Sequence, residues 1–229
     1  MYPVICKIGP FQVYSYGLML VLAFIAATSL VLAEAKRQKL DHEAIFNFLF
    51  TALVCGIIGS RLFYVLEHLG YYVKNPLEII MLQQGGLSWF GGLMLGSSAG
   101  IWYLKKKKLP IYRTLDLIVP YLALAQSIGR IGCLLNGCCY GRTPFLPTQM
   151  YASLALLAIY IILRMMQASP KPQGTIFFSY LLLYSIKRFT IEFWREDNPA
   201  VFYGLSLFQL LSIVLFVLAA AKLCLIKKK

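Results

Sequence analysis

The stretch VYSYGLMLVLAFIAATSLVLA, Val13–Ala33, followed at once by Glu34-Ala-Lys36-Arg37-Gln-Lys39, sets the class of this chain. It carries no charge over the length, about 20 residues, that a helix needs to cross the hydrocarbon of a bilayer. Six further segments are strongly apolar, some with an internal charge such as Arg61 or Arg130: 45–66, 85–105, 115–135, 149–162, 175–193 and 205–225. The whole composition agrees. Apolar residues make up 59% of the 229 and charged residues 14%, with a mean hydropathy of +0.70. A soluble domain is roughly half apolar and about a quarter charged. The expectation is an all-α integral membrane protein of about seven transmembrane helices, forming one membrane-embedded domain over 1–229.

The formal charge of +13 argues for topology, not for nucleic acid as a partner. Fourteen of the 22 Lys and Arg fall after segments one, three, five and seven, mostly as short runs such as Lys105–Lys108. Loops on the cytoplasmic side collect such charges, which puts the N-terminus outside and the C-terminus in the cytoplasm. No cleavable signal peptide is visible, since Met1–Pro10 lacks a basic start and a small-residue cleavage site. The opposite side holds eight basic residues. Five are arginines: Arg61, Arg130, Arg142, Arg188 and Arg195. Ionisable groups inside spans are costly and mark function by default, and arginine grips phosphate in a bidentate fork. An anion site at the outer side is therefore expected.

Each residue also has a plainer reading. Arg130 either snorkels to the interface or binds an anion, and the mainly apolar run that follows it favours binding. Arg188 and Glu192 are four apart and share a helix face. They form either an ion pair that offsets two buried charges or a phosphate-binding arginine with its positioning carboxylate. Arg61 joins that cluster or snorkels. Tyr16 is an aromatic-belt residue or a cavity residue. Asn136 and Gly141 fit turn chemistry. Gly56, Gly59 and Ser60 make a small-residue patch suited to close helix contact. The glycines of Gly85-Gly86-Leu-Ser-Trp-Phe90-Gly91-Gly92 suggest a broken or re-entrant start to the third span.

Six cysteines are present. Cys55 and Cys224 lie inside apolar runs, Cys6 lies near the N-terminus, and Cys133, Cys138 and Cys139 cluster. The cluster reads as buried thiols, as a disulfide facing an oxidising compartment, or as metal ligands. Its spacing lacks the paired CxxC of a zinc site, and neither His42 nor His68 is nearby in sequence. The expectation is therefore no metal and no cofactor.

Taken together, several segments resemble the prolipoprotein diacylglyceryl transferase family. They are Tyr14-Ser-Tyr16-Gly17-Leu-Met, Gly59-Ser-Arg61-Leu-Phe-Tyr64-Val, Gly85-Gly-Leu-Ser-Trp-Phe90-Gly91-Gly92-Leu, Gly129-Arg130-Ile-Gly132-x3-Asn136-Gly137-x3-Gly141-Arg142, Pro147-Thr-Gln149-Met-Tyr151 and Arg188-Phe-Thr-Ile-Glu192-Phe-Trp-Arg195-Glu196. The likeness spans nearly the whole chain. It implies a multi-pass enzyme of the bacterial cytoplasmic (inner) membrane, with seven spans and an outward N-terminus. Such an enzyme moves the diacylglyceryl group of phosphatidylglycerol to the lipobox cysteine of an exported prolipoprotein and releases glycerol 1-phosphate. Its partners are phosphatidylglycerol, the signal peptide of the prolipoprotein and membrane lipids. The implied catalytic residues are Tyr16, Arg130, Arg188 and Glu192. Arg130 and Arg188 bind the phosphate, Glu192 orients Arg188 or contacts the glycerol, and Tyr16 lines the head-group cavity. Arg61, Asn136, Gly141, Arg195, Gly91 and Gly92 are implied as substrate-binding residues.

The chain departs from the family pattern at informative places. A histidine to which a base role is given becomes Phe90. An asparagine and a glutamate of the signature become Cys133 and Cys138, a His-Pro-Ser-Gln type motif becomes Leu146-Pro-Thr-Gln149, and the loop from Gly141 to Gln149 is short, implying a reduced outer head region. These changes leave two further functions open: a related transferase with another acceptor, and a non-catalytic lipid- or anion-binding membrane protein or transporter.

Overall fold

The computed structural model describes residues 3–8, 11–81, 85–139, 141, 146–195 and 200–227. Eight α-helices are found among them: α1 (Ser15–Arg37), α2 (His42–Glu67), α3 (Leu69–Tyr72), α4 (Trp89–Lys106), α5 (Ile111–Asn136), α6 (Thr148–Gln167), α7 (Thr175–Glu192) and α8 (Leu207–Lys227). Five of them, α1, α2, α5, α6 and α8, are long and apolar enough to cross a membrane. The other two long helices, α4 and α7, have 18 residues each, a length of about 27 Å at 1.5 Å per residue. Glycines and two terminal lysines dilute α4, and Lys187, Arg188 and Glu192 sit in the last turns of α7.

Each of the seven apolar segments contains one of these long helices, with shifted ends. The first helix begins at Ser15 because Phe11–Tyr14 (β2) pairs as an antiparallel hairpin with Val4–Ile8 (β1). A second small hairpin, Ala200–Phe202 (β3) with Leu205–Ser206 (β4), precedes α8. The all-α expectation is thus modified by two short two-stranded sheets. The second helix starts earlier than expected because Asp41 caps it, its Oδ1 accepting from the N–H groups of Glu43 and Ala44. The fifth segment continues to Gln167, so Arg164 lies inside α6. Its charge is offset by Glu34 of α1 at 3.3 Å.

The chain divides into two compact units, residues 35–114 and residues 1–34 with 115–229. In the 35–114 unit, α2 and α4 pack backbone to backbone. A Cβ on Gly59 would strike the Gly91 carbonyl and Leu95, one on Gly92 would strike Ser60, and one on Gly96 would press on the Ala52 carbonyl. The small-residue patch at Gly56–Ser60 therefore does what its composition suggests. The other unit has a core of Val119, Ala123, Ile159, Leu163, Ile176 and Tyr180, drawn from α5, α6 and α7. Polar ties lock it. Ser127 and Ser153 each donate to the other's carbonyl at 2.9 Å. Asp116 accepts the N–H groups of Gly174 and Phe177, at 2.6 and 2.7 Å, and so satisfies the start of α7.

Candidate active site

The end of α5 builds the centre of the site. Gly137 has φ +77°, a conformation that glycine adopts without penalty. The Gly137 N–H reaches the Leu134 carbonyl at 3.3 Å, and the Cys138 N–H reaches the Cys133 carbonyl at 3.1 Å. This is a Schellman motif, with Asn136 as the last helical residue. It folds Cys138 back over Cys133. Cys139, also left-handed at φ 60°, brings in a third thiol, and the three sulfurs lie within 4.8 Å of one another. The turn is pinned from α6, where the Gln149 amide donates to the Cys138 carbonyl at 2.7 Å.

Arg130, two helical turns before that end, opens onto a narrow cleft also lined by Cys139, Thr148, Gln149, Lys187, Arg188 and Arg195. Four basic side chains thus meet from α5, α7 and the turn after α7. Glu192 is the carboxylate among them, buried to 5% exposure. Its Oε2 is 3.2 Å from Arg188 and 4.0 Å from Arg195, and its Oε1 accepts from the Ser206 hydroxyl at 2.8 Å. Ser206 is in turn fixed by a capping box, donating its N–H to Gln209 Oε1 while its Oγ accepts the Gln209 N–H. The Arg188 guanidinium lies over the Phe208 ring at 4.4 Å. Among the described residues, Thr148 Oγ1 and Gln149 Oε1 are buried with no hydrogen-bond partner. The Cys133 thiol, followed by the guanidiniums of Arg195 and Arg130, holds the Cys139 thiol below its ordinary range.

The expected site residues separate into those the cleft gathers and those placed elsewhere. Arg130, Arg188, Arg195 and Glu192 come together. Tyr16 lies on α1 where that helix meets α5: a Cβ on Gly132 would touch Met19 and Tyr16. Gly141 pairs with Arg195 in a β-bridge and lies against the Trp194 carbonyl so closely that no side chain fits. Arg142 and Glu196 lie outside the described residues.

Arg61 and the glycine pair belong to the 35–114 unit. Arg61 is 6% exposed, and its five N–H groups face five carbonyls. Nε donates to Ile79 at 2.9 Å, Nη1 to Gly85 and Gly86 at 2.7 and 2.9 Å, and Nη2 to Glu78 and Met81. That is the full donor capacity of a guanidinium, so the side chain ties residues 78–81 to Gly85 and Gly86. Gly91 and Gly92 lie within α4 and let it touch α2. Among the described residues, the irregular start expected for the third span covers 85–88, with Gly85 and Gly86 at φ +80° and +77°; the helix runs from Trp89.

Lys187 and Ser206 carry no expected role, and Thr148 and Gln149 were expected only as members of the Pro147–Tyr151 motif. The Ser206-x-x-Gln209 capping box was readable ahead of an apolar run. The cleft position of Lys187 was not, because its helix carries apolar residues on every face.

The family model described as prolipoprotein diacylglyceryl transferase matches residues 3–225. Three relatives carry the name phosphatidylglycerol–prolipoprotein diacylglyceryl transferase. The protein of Clostridium tetani is 31% identical over 93% of this chain and 93% of its own length. That of Streptococcus uberis is 33% identical over 94% and 92%, and that of Lactobacillus acidophilus 31% over 94% and 86%. With the match running through the cleft-forming ends of α5 and α7 alike, the chain belongs to the prolipoprotein diacylglyceryl transferase family.

Proposed function

We propose that this protein transfers the diacylglyceryl group of phosphatidylglycerol to the lipobox cysteine thiol of an exported prolipoprotein and releases glycerol 1-phosphate. The carrying observation is the convergence of Arg130, Arg188 and Arg195 on one cleft beside Glu192. The acceptor sulfur attacks the diacylglyceryl carbon. The bond from that carbon to the phosphate-ester oxygen breaks, and the electron pair leaves with glycerol phosphate. The phosphate passes from a monoanionic diester to a dianionic monoester, so preorganised cations bind the departing group better than the lipid and lower the barrier. The thiol proton passes to a phosphate oxygen or to water, since Phe90 offers no basic atom.

In this reading Arg130 and Arg188 hold the phosphate, with Lys187 lining the same cleft. Glu192 fixes Arg188 and Arg195, and Ser206 fixes Glu192. The unpaired oxygens of Thr148 and Gln149 suit the hydroxyls of a glycerol head group, with Tyr16, Asn136 and Gly141 shaping the same cavity. Arg61 acts by holding residues 78–81 and 85–86, and the glycines at 91 and 92 by letting α4 meet α2. The Lys and Arg distribution supports seven spans, an outer N-terminus, a cytoplasmic C-terminus and residence in the bacterial cytoplasmic membrane. The two units act as one transferase domain, and the short 141–149 connection supports a reduced outer head region.

The test is transfer from phosphatidylglycerol vesicles to a lipobox peptide by the purified protein, read as the mass of the thioether product. A product that disappears with Arg130→Ala supports the proposal. No product, under conditions where the Clostridium tetani relative makes it, overturns it.

A further inference from the structure

No step of the transfer is assigned to the thiol cluster, of which Cys139 alone lines the cleft, yet the fold assembles it with care. Cys133 and Cys138 are brought together by the Schellman turn, Cys139 by a left-handed residue that only the surrounding contacts sustain, and Gln149 holds the turn from another helix. The three sulfurs lie within 4.8 Å of one another, one buried and two half-buried. Three sulfurs about 2.3 Å from one ion stand about 3.8–4.0 Å apart, so closure on a metal needs side-chain shifts of under about 1 Å.

The donor set is all sulfur, which selects soft cations over magnesium or calcium. Three protein ligands leave a fourth position open. Charge also fits: three thiolates and a divalent ion sum to −1, beside the guanidiniums of Arg130 and Arg195 that line the adjoining cleft. The pairwise CxxC rule misses this site because its ligands come from one helix end and the turn that closes it.

We propose that Cys133, Cys138 and Cys139 form a three-thiolate site for a thiophilic d10 cation of the Zn2+ class. Binding breaks three S–H bonds, releases three protons to solvent and forms three metal–sulfur bonds, with no change of oxidation state. The site stands independently of the transfer reading.

The full-length protein in detergent, reduced and freed of reductant, is titrated with Cd2+ alone as an optical probe. A sulfur-to-cadmium charge-transfer band that saturates at one equivalent and is displaced by Zn2+ is expected. The Cys6/Cys55/Cys224→Ala triple variant keeps the band, whereas Cys138→Ala and Cys139→Ala each weaken Cd2+ binding at least tenfold with unchanged helicity. Because Cys133 is buried, the conclusion rests on those two exposed-side variants. Absence of a saturable band in protein with all thiols titratable, a band unchanged in both single variants, or one lost only in the triple variant overturns the proposal.

Discussion

The Oε2 atom of Glu192 lies 3.2 Å from Nη2 of Arg188, one turn earlier on α7. The pair puts a forked donor in a fixed pose inside an apolar helix, at a point where cations outnumber the nearby carboxylate. Arg188→Lys keeps the charge but loses the fork. The transfer rate is expected to fall on the order of 100-fold, the usual cost of one oriented donor to a developing anion. Steady-state transfer from phosphatidylglycerol vesicles checks it, and a rate within threefold of wild type would show that Arg188 does not touch the phosphate.

Ser206 links a helix cap to the site carboxylate. Ser206→Ala removes the hydroxyl that donates to Glu192 and the acceptor for the Gln209 N–H. A loss of about 1 kcal/mol in stability is expected from the cap, together with a fall in transfer rate. Ser206→Thr should restore both. Thermal unfolding and rate measured on the same samples separate the two effects; a full rate with a lowered midpoint would confine Ser206 to the cap.

Arg61 is expected to matter for structure before chemistry. Arg61→Leu leaves five carbonyls without their donor, and each buried orphan costs about 1–3 kcal/mol unless it moves to water. The 78–86 segment should therefore become cleavable by added protease while the rest of the chain resists. Unchanged protection of that segment would contradict the clamp.

The α2–α4 contact leaves no room for a side chain at Gly59 or Gly91. Gly59→Val should destabilise by about 1–3 kcal/mol through overpacking, whereas Gly70→Ala, with open space around it, should stay within about 0.5 kcal/mol. Unfolding of both variants in one detergent gives the comparison.

Seven apolar segments, their approximate ends and the charge bias between them were legible because each depends on a local run of residues. So were the helix-contact glycines at 56–60. The hairpin at residues 4–14 was not legible, because four or five residues beside a long apolar run read as part of it. The closeness of all three thiols was not legible, because a helix-ending turn sets it and sequence spacing does not. Gly137 was the usable signal, since a glycine just past a helix end predicts the turn that brings Cys138 back to Cys133.

The sequence by itself determined the membrane class, the apolar helical segments and the family, all properties of contiguous residues or of their order. Only the tertiary structure decided that Lys187 joins three arginines, that Ser206 positions Glu192, and that Arg61 is consumed by backbone carbonyls of its own unit. The reason is physical: charge and hydropathy are summed along the chain, whereas donors and acceptors are matched in space. Helix packing brings side chains more than 50 residues apart, such as Arg130 and Arg188, onto one cleft.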